Sequence, residues 1–359
     1  MKLTILSRYT RLGASSRLRT MQYLPALKEA GFEVELASFF DDTYLKALYG
    51  GKRDTGGVGR FVLDRIRQCR SAKDSDLIWV EKEALPWAPW IVENLVMPRG
   101  VEVVSDYDDA VFHRYDRHRR AIVRGSLGSK IDQVMAHSTL VTAGNRYLAD
   151  RACQAGAPWV EIVPTVVDAH AYQPATAERP DRQLRIGWIG TPQTWAKYGV
   201  PRMAFFEQLA REHDIRFHLV GARLTSGREG PFDYVPWSEE EEIKAIQDMD
   251  IGIMPLMDDP WERGKNGYKI IQYMACGLPV VASPVGVNTE IVRVGENGLL
   301  ASSEGEWREA LATLITDAKL RQKMARAGRQ RVVDTYSIQV QGPRVASLLM
   351  KVAKRSARK

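Results

Sequence analysis

Residues 258–282 read DDPWERGKNGYKIIQYMACGLPVVA, a passage from a strand end through a polar loop into a helix and on to another strand. At about 100° per residue, Lys265, Lys269, Gln272 and Cys276 project from one helix face, and Ile270, Ile271 and Met274 from the other. The pattern predicts a helix with an apolar side in the core and two cations aimed away from it. Gly264 and Gly267 ahead of the helix let backbone approach a ligand closely, and a helix start adds unpaired N–H groups with about half a unit of positive charge. Such a loop suits a diphosphate; solvated lysines on an outer helix face are the plainer alternative. A second turn, SPVGVNTE at 283–290, again follows a strand and delivers a glycine, Gly286, and a helix start that includes Glu290.

Outward from that segment, short apolar runs alternate with helical or polar stretches, the order expected of parallel sheets. In the second half the predicted strands are 184–189, 216–220, 251–255 and 279–282, with a helix over 307–316 whose Trp307, Ala310, Leu311, Leu314 and Ile315 share one face. In the first half they are 2–7, 34–37, 77–80, 101–104 and 140–143, and Leu18, Met21, Leu24 and Leu27 predict a helix between the first two. Two prolines and several charges at 172–183 break the apolar pattern and read as a linker. The fold class is therefore α/β, with a first Rossmann-like domain over 1–172, a linker at 173–183, a second over 184–335 and a closing helix with a basic tail at 336–359. Open parallel sheets bind ligands beyond the carboxyl ends of their strands, so two such domains are expected to face a shared cleft.

The same residues resemble the donor-binding region of the family 4 retaining glycosyltransferases, which have the GT-B fold. The resemblance rests on QYMACGLPVVASPVGVNTEIV from Gln272, GENGLL from Gly295, DIGIMPL from Asp250, VPTVVD at 163–168 and RIGWIGTP at 185–192, in this order. It implies transfer of a sugar from a nucleoside diphosphate sugar, with retention, to a glycan or lipid-linked acceptor. The family carries two glutamates eight positions apart; here those positions hold Gly264 and Gln272. The resemblance implies that Gln272 meets the donor ribose through its amide oxygen, and that Glu262 or Asp259 supplies the carboxylate lost at Gly264.

It further implies diphosphate contacts from the turn at Gly190, with Thr191 standing where an arginine is common and Lys197 about where a lysine follows. Lys265 and Lys269 are then expected to compensate for that arginine. By similarity, Trp237 and the turn before it hold the nucleotide base, and small residues at Gly13 and Ala14 let backbone reach the diphosphate. Asp108 falls where relatives have a histidine near the sugar, with His113 as the alternative, and both are taken as catalytic candidates. In a retaining transfer the leaving diphosphate oxygen can itself take the acceptor proton, which leaves positioning and charge neutralisation to the protein.

Asp106 and Asp108 spell D-x-D after the predicted strand at 101–104, but no histidine or acid cluster completes a shell, so no metal and no cofactor is expected. Cys69, Cys153 and Cys276 are odd in number and have no metal-ligand spacing. The first eight residues are too short an apolar run for a signal core or a membrane span, so the chain is expected in the cytoplasm. The net charge of +7 favours phosphate-bearing partners without choosing among them. Arg114, Arg117, Arg119, Arg120 and Arg124 cluster, and 342–359 hold six basic residues and no acid. With Val345, Leu348, Leu349 and Val352 recurring at helical spacing, these predict a last helix docked on protein and a basic end that attracts anionic lipid weakly. Two other functions stay open. A nucleic-acid glucosyltransferase is favoured by the basic charge and shares the fold class, although nucleic acid is not the expected partner; a catalytically silent sugar-binding or scaffold protein fits the missing glutamates.

Overall fold

The structure, a computed structural model, describes residues 1–49, 57–176, 183–223 and 230–356. The chain forms two compact units. The first comprises 1–165, 263–266 and 340–359; the second comprises 166–262 and 267–339. Parts of the linker stretch at 173–183 and of the basic tail lie outside the described residues.

The first unit is built on strands β1 (Lys2–Ser7), β2 (Glu33–Ser38), β3 (Leu77–Glu81), β4 (Glu102–Tyr107), β5 (Leu140–Ala143) and β6 (Val160–Ile162). They lie in the order β2-β1-β3-β4-β5-β6, every pair parallel. β3 and β5 are buried along their whole length, as strands covered on both faces must be, whereas β2 is a largely exposed edge. Asp106 lies inside β4, which runs three residues past the expected end at 104.

The second unit holds β7 (Leu184–Ile189), β8 (Ile215–Val220), β9 (Phe232–Val235), β10 (Ile251–Met254), β11 (Val280–Ala282) and β12 (Gly298–Leu300). Their order, β12-β11-β10-β7-β8-β9, is the doubly wound arrangement in which the chain starts centrally and winds outward on both sides. Alternate residues of β7 enter separate cores. Ile186 and Trp188 pack with Phe206, Phe217 and Trp307, while Ile189 packs with Ile270, Ile271 and Tyr273. The α/β class with two parallel sheets is as the sequence predicts. β6, β9 and β12 are additions, each only three or four residues long.

Two predicted helices differ. The stretch 18–27 is not one helix: Ala14–Arg19 and Leu24–Glu29 are joined by a 3₁₀ turn at Met21–Tyr23. A spacing of three is the period of that tighter turn, and Pro25, at the second position of the later helix, has no N–H for an earlier turn to bind. In the decisive segment the helix is Tyr268–Ala275, started by Gly267 at φ +62°, so Lys265 lies outside it and belongs to the first unit. The face that carries Lys269 does not turn wholly to solvent: Gln272 and Cys276 are both buried.

The last helix, Ile338–Ser356, buries Val345, Leu348, Leu349 and Val352. Arg344 donates to the Ile162 carbonyl (2.8 Å) and to Glu161 (3.0 Å), and Arg355 stacks over Trp159 (4.9 Å). The apolar stripe thus joins the first unit's core.

Candidate donor and acceptor sites

β7 leads to the point where the winding direction of the second sheet reverses, and Gly190 directly follows it. Gly190 donates to the Val220 carbonyl (3.0 Å), and a side chain on Gly221, at φ +78°, would collide with the Gly190 carbonyl. A Cβ on Gly190 would stand 2.7 Å from the Trp188 ring and 3.0 Å from Cε of Lys269. Two glycines are therefore required where β7 and β8 end, and they leave bare backbone there. Lys269 reaches over Trp188 with its ammonium 5.6 Å from the ring centroid, near enough for a cation–π contact that keeps the charge beside the glycines.

Trp237 stands on the other side of Gly221, where its Cβ would lie 3.3 Å from a Cβ added to that glycine. It is 41% exposed and is no core residue. Its indole N–H donates to Glu242 (2.5 Å), whose other oxygen accepts from the Tyr172 hydroxyl and from the Gln272 amide (2.8 Å). Gln272 thus spends its N–H donors on the Glu242 carboxylate and the Tyr172 hydroxyl (3.2 Å). Gly221, Glu242 and Tyr172 were missed by the sequence reading. A glycine directly after a strand is a signal for the first, whereas the other two are known only through partners 30 and 100 residues away along the chain.

The remaining donor candidates are placed as follows. Thr191 caps the Pro192–Tyr198 helix, accepting from the Thr194 N–H in a capping box. Lys197 pairs with Glu262 (2.5 Å), which also accepts from the Tyr198 hydroxyl. Glu262 is fully buried, and its second carboxylate oxygen has no partner among the described residues. Gly286 takes φ +54° in the turn before Asn288–Ile291. Glu290 is exposed, and its carbonyl accepts from Arg331 (2.6 Å).

In the first unit, buried charges gather at the carboxyl ends of β1, β3 and β4. Lys82, a non-glycine residue at φ +66°, points its ammonium at Asp108 (2.7 Å) and Ser15 (2.9 Å). Ser15 lies in the Ala14–Arg19 helix that Gly13 begins, 2.6 Å from Asp108 and 2.8 Å from Glu81. Tyr9 closes over Gly13 so tightly that a Cβ there would strike its side chain. Burial would weaken the Lys82 ammonium, but Asp108 and Glu81 outweigh it and hold its pKa above the ordinary lysine value. Burial would likewise raise the Asp108 pKa, yet Lys82 and Ser15 hold that carboxyl below its usual range. Its neighbour Asp109 goes the other way, raised by burial and then by Asp108. Adjacent carboxyls pushed apart in this manner mark a place where one stays ionised and the other takes a proton more readily.

Asp106 is absorbed elsewhere: Arg19 grips both its oxygens (2.7 and 2.9 Å) and Thr142 adds a third bond (2.6 Å). The D-x-D pair is thereby divided between two ion pairs. Among the described residues no group of three or more His, Cys, Asp or Glu is arranged to hold a metal ion. His113 has both ring nitrogens engaged, with Asp116 (2.9 Å) and the Tyr147 hydroxyl (2.7 Å).

Gly264 explains part of the missing glutamate pair. A Cβ at this position would lie 2.6 Å from the Ala110 Cβ and 2.7 Å from the Ala110 nitrogen, closer than carbon atoms approach. The segment is held there by Asn145, whose amide donates to the carbonyls of Gly264 (3.0 Å) and Lys265 (3.1 Å) and to the Asn266 side chain (2.9 Å). No side chain of any kind fits at 264 without moving backbone.

Two parallel six-stranded sheets in these orders define the class, the GT-B fold of glycosyltransferases. The solved structures similar to this chain include sucrose-phosphate synthase from Thermosynechococcus elongatus, with TM-score 0.75 and 13% identity over 98% of this chain and 99% of that one. Anabaena HepE in complex with UDP and glucose is another, with TM-score 0.72 and 16% identity over 98% and 100% of the two chains. Residues 184–317 match the family model described as Glycosyl transferases group 1. A D-inositol 3-phosphate glycosyltransferase from Stackebrandtia nassauensis is 43% identical over 61 residues, which make up 16% of this chain and 14% of that protein.

Proposed function

We propose that this protein is a family 4 glycosyltransferase that moves a sugar from a nucleoside diphosphate sugar to a glycan or lipid-linked acceptor, with retention of anomeric configuration. The observation that carries this is the bare backbone of Gly190 and Gly221 at the strand ends, flanked by the Lys269 ammonium on one side and the Trp237 ring on the other. Diphosphate oxygens need room close to backbone and a nearby cation, and a base needs a planar platform; the glycines, Lys269 and Trp237 supply these in turn. The match to the group 1 family model and the UDP and glucose held by HepE support the same donor class.

In this reading Lys269 neutralises charge that develops on the leaving diphosphate, with Thr191 and the Gly286 turn as further donors to it. Glu242 orients both Trp237 and Gln272 toward the nucleoside. The acceptor proton goes to the departing diphosphate oxygen, so no strong external base is needed. Asp108, ionised beside Lys82, positions the acceptor hydroxyl; His113, with both nitrogens engaged, braces the adjoining Tyr147. A basic chain end, with the arginines of 114–124, gives weak peripheral association with anionic membrane. No helix of the described residues is long and apolar enough to cross a membrane.

The test is calorimetric binding of UDP, GDP and their sugars, followed by NMR of the product anomer. UDP-sugar binding and an axial-to-axial transfer are expected; an inverted product or no binding to any nucleotide would overturn the reading. A second reading, a catalytically silent nucleotide-sugar-binding protein, is favoured by the sealed position at Gly264, and slow donor hydrolysis without acceptor would exclude it.

A further inference from the structure

The first unit shows large apolar side chains in solvent beside its arginine cluster. Ile91 and Leu95, four apart on the Trp90–Val96 helix, are 71% and 73% exposed, and Ile122 on the Ala121–Leu127 helix is 78% exposed. Four residues apart on a helix is one face, so Ile91 and Leu95 stand together. Trp87, three residues before the first of these helices, is 49% exposed and takes φ +64°, a conformation that bulky residues adopt only when their surroundings impose it. Its surroundings are visible. The Trp87 N–H donates to the Tyr115 hydroxyl (3.0 Å), and the indole meets Tyr115 and His118 edge-on at 5.1 and 5.9 Å. The His118 carbonyl in turn accepts from Arg124 (2.7 Å), which links the tryptophan to the helix that carries Ile122.

From Arg117 to Ile131 the sequence contains Arg117, Arg119, Arg120, Arg124 and Lys130 and no acid. The acids that border the arginine stretch, Asp116 and Asp132, are half-buried in ion pairs with Arg151. Lys130 is buried against Glu83 and Glu93, whereas Arg117, Arg119, Arg120 and Arg124 are exposed. A protein partner would be expected to meet apolar side chains with an apolar surface and arginines with specific acids. A bilayer of anionic lipid meets both at once, with headgroup charge over a hydrocarbon layer, and tryptophan favours that boundary because its ring is apolar and its N–H polar.

We propose that Trp87, Ile91, Leu95 and Ile122 form the apolar centre of a membrane-docking surface on the first unit, with Arg117, Arg119, Arg120 and Arg124 as its contacts to anionic headgroups. This takes up the peripheral association of the preceding reading and rests on it. It moves the main contact from the chain's basic end to this surface, and it adds a component that salt does not screen. Arginines alone would release at high ionic strength; apolar side chains seated among acyl chains do not.

The experiment is co-sedimentation of the full chain with phosphatidylcholine vesicles, with and without phosphatidylglycerol, at about 0.15 M and about 1 M salt, where the Debye length falls from about 8 Å to about 3 Å. The wild type is expected to bind anionic vesicles at the lower salt and to keep a measurable fraction bound at the higher. Arg117→Gln, Arg119→Gln and Arg120→Gln together should weaken low-salt binding about 100-fold, at about fivefold per arginine. Ile91→Asn, Leu95→Asn and Ile122→Asn together should abolish the salt-resistant fraction, and brominated lipid should quench less fluorescence in Trp87→Phe than in the wild type. Because all these side chains are exposed, folding is not at stake, and thermal melts and UDP affinity of the same samples check this. No binding to anionic vesicles, or salt-resistant binding equal in the asparagine variant and the wild type, overturns the proposal. So does a wild-type dimer in light scattering that the asparagine substitutions dissolve, which would assign the surface to a second copy. A wild type that binds UDP but no vesicles counts against the docking surface alone, and one that binds vesicles but no nucleotide counts against the donor reading alone.

Discussion

Restoring the glutamate that related enzymes carry at position 264 should harm this protein. The added Cβ would start 2.6 Å from one Ala110 carbon and 2.7 Å from the Ala110 backbone nitrogen, against an ordinary contact of roughly 3.5–4.0 Å. One of these obstacles is main chain, so no rotamer change relieves it; about 1 Å of backbone movement is required. Overpacking of this kind costs about 1–3 kcal/mol, and the backbone obstacle puts Gly264→Glu at the upper end. In a unit of this size each kcal/mol lowers Tm by about 2–4 °C, so a drop of roughly 6–12 °C is expected. Gly264→Ala adds the same Cβ without the carboxylate and should lose nearly as much, which separates steric from electrostatic effects. Differential scanning calorimetry gives the melts, and coupled detection of released UDP gives donor turnover. A Gly264→Glu protein that melts with the wild type, or turns over donor faster, would refute the reasoning and show that position 264 has room for the lost side chain.

Lys269→Ala should weaken UDP binding by about tenfold or more, the loss of a charge-assisted contact, while Lys265→Ala, outside the helix, is tested separately in the same titration calorimetry. If neither variant changes affinity, the lysines have no part in diphosphate binding. Asp109 has its folded-state pKa raised above the ordinary 3.8, chiefly by burial and then by Asp108. Its contribution therefore favours the fold at low pH and is lost as pH rises through the folded value. Asp109→Asn is accordingly expected to stabilise the protein at pH 7, with the gain shrinking toward pH 4 in urea titrations; destabilisation at pH 7 would contradict this. Transfer activity should survive EDTA, because Asp106 and Asp108 are each committed to a cation of the protein; loss on chelation and rescue by magnesium or manganese would show that the pair was misassigned.

The fold was legible where strands are long or free of charge: Leu184–Ile189 and Leu140–Ala143 coincide with their predicted spans. Val160–Ile162, Phe232–Val235 and Gly298–Leu300 escaped because each is short and carries a charge or a glycine, Glu161, Asp233 and Gly298, and pairing with a neighbouring strand makes them strands. In the second unit, glycine after a strand and lysine on a helix were readable as local patterns. The first unit's charge cluster was not. Nothing local marks the charged triplet Glu81, Lys82 and Glu83 as buried, yet all three are, because Arg8 comes to Glu83 from 75 residues away and Lys130 from 47. Long-range pairing decides whether a charge can be buried, and one sequence carries no record of it. Lys265 was misplaced for a related reason: helical projection assumed continuity through Gly267, whose left-handed backbone ends it.

The last helix has a bearing on how the protein is made. Its Val345, Leu348, Leu349 and Val352 complete a core whose other parts are mostly within the first 165 residues, and Arg344 ties it to β6. During synthesis the first unit therefore emerges early but cannot close until the whole of the second has followed it off the ribosome. At roughly 5–20 residues per second the wait is on the order of ten to forty seconds, with an apolar groove open to chaperones throughout. A nascent chain stalled before residue 338 should remain bound to them, and release should coincide with the arrival of that helix.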